Sequence, residues 1–182
     1  MGVVFVFMAM FMLSTFDVPR PVGLGIVTPK AEFLVELTWQ DGSPDDIDLY
    51  GRGPDGAIIY FGRRDTASMF LDIDNRGKSN AVPQPGGGSK DIPDRREIMT
   101  IRAIVPGEYV FNAHFYSKDS LPGDVARLRM TVTKINPYRV VTVAEATFDT
   151  EGEEKTMVNF KVDAAGEIGE VYLAPVKMVG AR

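Results

Sequence analysis

Two short acidic pairs stand out in this sequence: Asp46 and Asp48 flank Ile47, and Asp72 and Asp74 flank Ile73, with Asn75 directly after. On a strand, residues two apart leave the same face. Asp46 and Asp48 therefore project together while Ile47 and Leu49 turn toward a core, and Asp72 and Asp74 are expected to repeat the arrangement around Ile73. If the two segments meet at one end of a packed pair of sheets, these carboxylates and the Asn75 amide converge, a density of negative charge that calls for a hard cation or open water. Calcium suits an oxygen-only set on irregular backbone, so the expected metal ligands are Asp46, Asp48, Asp72, Asp74 and Asn75. The run Asp72-x-Asp74-x-Arg76-Gly77 begins like an EF-hand loop, yet Arg76 stands at a ligand position and no Glu follows at the twelfth. Asp and Asn also cap strand ends and build turns beside Gly and Pro. The sequence leaves the calcium site and the turn chemistry both open.

Other chemistries lack their parts. There is no cysteine and a single histidine, His114, which removes disulfide scaffolds, Cys/His zinc sites and cysteine nucleophiles and leaves no spare base for a Ser-His-Asp triad. His114 lies in an alternating stretch, Phe111 to Tyr116, where it reads as a packing or surface residue. A formal charge of −5 and a pI near 5.0, with scattered Lys and Arg, give no field for a phosphate backbone, so nucleic acid is not an expected partner. A paired-carboxylate enzyme needs two carboxyls across a cleft; the expectation is that the chain is not an enzyme. Tyr50, Tyr60, Phe61 and Tyr116 could present ring faces to sugars, although aromatic residues in strands more often fill cores.

The elements that would position these residues are strands. Phe33, Val35, Leu37 and Trp39 alternate with Glu32, Leu34, Glu36 and Thr38, the pattern of a strand with one buried face. Further strands are expected at Ile47–Tyr50, Ala57–Phe61, Met69–Ile73, Ile98–Ile104, Tyr109–Tyr116, Arg127–Lys134, Val140–Phe148 and Met157–Val162. Turn residues separate them, among them Asp41-Gly42, Gly53-Pro54-Asp55-Gly56, Pro106-Gly107 and Glu151-Gly152. The spacing predicts an all-β fold, an antiparallel β-sandwich of Greek-key, Ig-like or jelly-roll kind, over residues 31–182. Asn75 to Arg95, with Pro83, Pro85, Gly86-Gly87-Gly88 and Pro93, reads as a long mobile loop inside it.

Ahead of the strands, Gly2 to Phe16 is apolar on every face and carries no charge. Such a segment wants lipid or a protein wall rather than water. As a helix, residues 2–16 would rise only ~22 Å against a hydrocarbon core of ~30 Å, which is short for a span. No Lys or Arg precedes the run and no small-x-small site follows it, against a cleaved signal peptide; a helix of the domain's own core is the other alternative. Residues 1–16 are expected to form a transmembrane helix and residues 17–30, rich in Pro and Gly, a tether, with the natural product extending upstream of Met1.

The segments Pro29 to Asp48, Gly53-Pro54-Asp55-Gly56, Leu71 to Gly77 and Arg96 to Val110 together resemble a group of uncharacterised, mostly alphaproteobacterial proteins with a single membrane helix and a β domain. The resemblance covers roughly residues 29–162 and implies architecture and anchoring. Asp46-Ile47-Asp48-Leu49, Pro54-Asp55-Gly56 and Leu71-Asp72-Ile73-Asp74 are also similar to bacterial sandwich modules with an Asp-x-Asp-Leu strand. Val3 to Leu13 resembles the helix of the small subunits of Tol/Exb/Mot-type proton-driven complexes, but Met1 and Gly2 stand where those helices carry a proton-accepting Asp. These likenesses imply an inner-membrane, single-pass protein with its main domain in the periplasm. The expected role is a non-enzymatic accessory or structural subunit, partnered by a multi-span membrane protein or by further copies of itself. The alternative is a calcium- or carbohydrate-binding module.

Overall fold

In a computed structural model that describes residues 31–180, the chain forms twelve strands, nearly all in two five-stranded antiparallel sheets. The first sheet has the order β10 (Arg139–Phe148), β9 (Ala126–Lys134), β1 (Phe33–Thr38), β7 (Arg96–Ile101), β4 (Met69–Ile73). The second runs β12 (Ile168–Tyr172), β11 (Glu154–Val162), β8 (Gly107–Ser117), β2 (Asp46–Arg52), β3 (Ile58–Ile59). A small hairpin of β5 (Ala81–Pro83) and β6 (Ser89–Asp91) stands apart from both. Among the described residues no helix is long and apolar enough to cross a membrane, and the expected span and tether, residues 1–30, lie outside them.

Period-two patterning builds the core. In the centre of the first sheet Val35 faces Met99 and Val132 on its neighbours, and Leu37 faces Met130. All five are sealed from solvent, as are Phe33 and Trp39 within 5 %. Burial of each such side chain contributes about 1.5–3 kcal/mol relative to exposure. From the opposite sheet, β8 sends in Tyr109, Phe111, Ala113 and Phe115, and β11 adds Phe160. The Phe160 ring stacks on Tyr109 at 5.5 Å and Phe111 at 5.8 Å and meets Phe33 of the other sheet at 6.0 Å, joining the layers. Trp39 closes one end, its indole N–H donating to the Asp45 carbonyl at 3.2 Å.

Four larger features differ from the sequence expectation. β3 is only two residues long, because the chain turns back at Phe61-Gly62, where Tyr60 and Arg63 exchange backbone hydrogen bonds. β7 stops at Ile101 rather than continuing to Ile104. The stretch from Asn75 to Arg95 is built structure rather than a bare loop. It holds a 3-10 turn at Gly77–Ser79 and the β5/β6 hairpin, and it is anchored by the buried Arg95 guanidinium donating to the Ser43 carbonyl and pairing with Asp91. After β11 a further strand, β12, leads into residues 173–180, which fold over the outer face of the second sheet. There the amide of Ala174 donates to Asn159 Oδ1, that of Val176 to Thr156 Oγ1 and that of Met178 to Glu154. Met178 seals Tyr50 and Val110 beneath it.

One close approach places the segment after β4 against the start of β2. Gly77 has φ +51°, and a Cβ there would lie 2.6 Å from the Asp45 carbonyl oxygen, while the Lys78 amide donates to the Pro44 carbonyl at 3.0 Å. Only glycine satisfies both the left-handed backbone and the missing space. Gly77→Ala is expected to cost about 2 kcal/mol or more, read as a lower urea midpoint with an unchanged slope.

Candidate metal centre

Because β3 reaches only Gly51 and Arg52, the first half of β2 has no strand on that side and its outward amides need other partners. Glu97, on the core-facing row of β7, supplies one: its Oε2 accepts the Leu49 amide at 2.7 Å. Its Oε1 accepts the Asn75 amide at 3.3 Å, so a single carboxylate ties β2, β7 and the chain after β4 together. Glu97 is 1 % exposed.

Around this carboxylate the chain gathers others. One oxygen each from Asp48, Asp74 and Glu97 lies within 4.8 Å of the other two. Asp46 and Asp48 share a small cleft of about 150 Å³ with Asp74, Arg76, Phe61 and Tyr116. Asp48 is 3 % exposed, and the hydrogen bond to its side chain is a 3.4 Å contact between Oδ2 and His114 Nδ1 across the β2/β8 ladder. Asp46 Oδ1 is buried with no hydrogen-bond partner among the described residues. Three oxygens no more than 4.8 Å apart have a common point within about 2.8 Å of each, close to the ~2.3–2.6 Å of calcium–oxygen bonds. Magnesium, with ~2.0–2.1 Å bonds and a demand for octahedral geometry, fits less well.

The electrostatics carry the same message. Burial, then the charges of Asp48 and Asp74, push Asp46 up to about 7, against the opposing pull of Arg76. Burial raises Asp48 as well, offset by its His114 contact, and raises Glu97 well above the usual carboxylate range despite the two amides it accepts. Burial thus disfavours the charged form of each of these carboxyls, the form that a divalent ion would favour.

Three of the five expected ligands, Asp46, Asp48 and Asp74, come to one cleft, and two go elsewhere. A bulge between Leu71 and Ile73 in the β4/β7 ladder breaks the alternation, so Asp72 and Asp74 do not act as a pair. Asp72 instead pairs with Arg102 and accepts the Thr100 hydroxyl at 2.5 Å on the exposed face. The Asn75 side chain is engaged in its own turn: Nδ2 donates to the Asp94 carbonyl at 2.8 Å and Oδ1 accepts the Gly77 amide at 3.1 Å. The turn chemistry is therefore correct for Asn75. Glu97 was missed, and its signal was its place on the same row as Met99 and Ile101, a carboxylate where an apolar side chain belongs. Of the four aromatic candidates, Tyr50 is buried and stacked on Tyr60 at 5.1 Å, while Phe61 and Tyr116 are open at the cleft mouth. A wider groove of about 860 Å³ runs along β10 and residues 173–177. Its Glu154 is already bonded to the Met178 and Val179 amides, and it gathers no comparable set of ligands.

Fold and cleft define a two-sheet antiparallel β domain with a buried carboxylate cluster at one edge of the sheets. No protein-family model matches the chain, and no curated protein matches it in sequence. A solved structure described as "Crystal structure of unknown function protein SAV2460" is similar to it at 14 % identity and a TM-score of 0.45, over 80 % of this chain and 89 % of that one.

The raised carboxyls fix a sign. Between about pH 4, where unfolded carboxyls ionise, and about pH 7, the folded chain binds more protons than the unfolded one, so these groups make stability fall as pH rises. In EDTA the domain is expected to melt lower at pH 8 than at pH 5.5, and Asp46→Asn should shrink that difference.

Proposed function

We propose that this chain is a calcium-binding β-sandwich module without catalytic chemistry of its own. The observation that carries the reading is the convergence within 4.8 Å of oxygens from Asp48 on β2, Glu97 on β7 and Asp74 just after β4. Beside them, Asp46 Oδ1 is buried and unpartnered. Buried charge is retained where it is paired or coordinates a metal, and a divalent ion would offset the burial and the mutual repulsion that disfavour the charged forms of these carboxyls. Glu97 and Asp48 would form the floor of the site, Asp74 one wall and Asp46 the rim. An ion held there would join both sheets and the segment after β4, so its role includes locking this edge of the fold.

A ligand that binds only the native state stabilises it by mass action, about 2.7 kcal/mol at a hundredfold excess over Kd. For a domain of this size that is about 5–10 °C in Tm. The full chain in detergent at pH 7.5 is expected to gain that much with calcium, and clearly less with magnesium. Asp74→Asn combined with Asp48→Asn should remove the gain while leaving the domain folded in EDTA. No rise at millimolar calcium would discard the reading.

The uncharged, largely apolar stretch from Gly2 to Phe16 favours a complementary reading, in which the module is anchored at the inner membrane with its β domain in the periplasm and serves a larger envelope assembly. The edge strand β10, with Val140 half exposed and Val143 beside it, next to the largely exposed Tyr138, offers a partner both backbone groups and apolar surface. Mild-detergent extraction from the native cell is expected to give a particle much larger than one 20.0 kDa chain in its micelle. A monomer would count against the subunit role and leave the calcium reading intact.

A further inference from the structure

The cleft that holds the carboxylates also has two aromatic walls, and together they define what else binds there. Phe61 and Tyr116 are 41 % and 52 % exposed and meet edge to face at 5.5 Å. Neither ring is loose. Phe61 leans on Tyr60 at 5.3 Å, and Tyr60 stacks on the buried Tyr50 at 5.1 Å with an interplanar angle of 7°. Tyr116 stands against His114 at 6.3 Å, and His114 against Tyr50 at 5.8 Å. Five rings thus brace one another, and the outermost two face solvent beside Asp46, Asp74 and Arg76. Aromatic rings held this way lose little freedom on binding.

Charge decides the kind of ligand. Four carboxylates against the guanidinium groups of Arg76 and of Arg64, which pairs with Asp74 at 3.6 Å, and a divalent ion leave no net charge. That balance gives no attraction for phosphate, sulfate or a free carboxylate. Calcium takes 6–8 oxygens, so with one oxygen from each of the four carboxylates two or more positions remain for oxygens from elsewhere. The cleft volume of about 150 Å³ admits one small ring rather than a chain. A neutral ligand with adjacent hydroxyl oxygens and an apolar C–H face meets every one of these conditions.

We propose that the cleft is a calcium-dependent carbohydrate site. Two vicinal hydroxyls of one sugar residue complete the calcium shell, the C–H face of the ring lies on Tyr116 and Phe61, and Arg76 donates to a further sugar oxygen. The proposal rests on the calcium reading given above and goes beyond it by naming the ligand. The buried Asp46 Oδ1, which has no hydrogen-bond partner among the described residues, leaves one carboxylate oxygen at this cleft unanswered by the protein.

The test uses the full chain in a polyoxyethylene detergent, which carries no sugar head group. Saturation-transfer difference NMR is recorded with methyl α-D-mannopyranoside, methyl β-D-galactopyranoside and methyl α-L-fucopyranoside, alongside thermal melts. At least one glycoside is expected to receive saturation in calcium and to lose it in EDTA. Phe61→Ala and Tyr116→Leu should weaken its binding tenfold or more while keeping the calcium-induced rise in Tm. A calcium-induced rise with no transfer to any of the three sugars overturns the carbohydrate site and leaves the calcium reading standing, whereas no rise at all overturns both. Transfer that survives EDTA, or that both aromatic variants leave unchanged, overturns the bridged geometry.

Discussion

The arrangement at this edge of the domain depends on a carboxylate placed where a hydrophobic side chain would normally pack. Glu97 sits on the core row of β7 and spends both oxygens on backbone amides that no strand can reach, those of Leu49 and Asn75. An unpaired buried amide costs about 1–3 kcal/mol, and two are answered here by one side chain. Desolvation raises the energy of the charged carboxylate at the same time. The fold therefore contains a group that satisfies its neighbours geometrically yet is short of positive charge. The surrounding Asp48 and Asp74 deepen that shortage rather than relieve it.

The shortness of β3 is what makes room for this arrangement. Had the strand continued past Ile59, it would have paired with the start of β2 and closed the edge that Glu97 occupies. Instead the turn at Phe61-Gly62 carries the chain away and leaves Phe61 at the rim. From the other side, Gly77 lets the segment after β4 press against Pro44 and Asp45, which sets Asp74 and Arg76 beside Asp46. The Asp45 carboxylate takes a purely structural part, accepting the amides of Asp119 and Ser120 at 2.9 and 2.8 Å. Adjacent aspartates thus divide between holding backbone and facing the cleft.

Much of this was legible in the sequence because period-two alternation survives wherever one face of a strand is buried. β1 is the clearest case, with Phe33, Val35, Leu37 and Trp39 all inside. Asp46 and Asp48 followed the same logic and do share a cleft. The pattern failed where a local irregularity resets the alternation: the bulge in β4 separated Asp72 from Asp74, and nothing in Leu71-Asp72-Ile73 announces a bulge. It also failed where tertiary contacts supply order that composition does not show. The Pro- and Gly-rich stretch before Arg95 is held by the buried guanidinium of that residue, a contact made to Ser43 from far along the chain. Tyr50 looked available for ligands because the residues that cover it, near Met178, come from the other end of the sequence.

The chain has one tryptophan, and its position is informative. Trp39 is buried in the core with its indole N–H on the Asp45 carbonyl, one residue before Asp46 and against the same backbone that Gly77 touches. An indole in that place is an intrinsic optical probe of the cleft's backing. Its emission wavelength and intensity respond to any movement of residues 44–46 without a label, and no second indole contributes a competing signal.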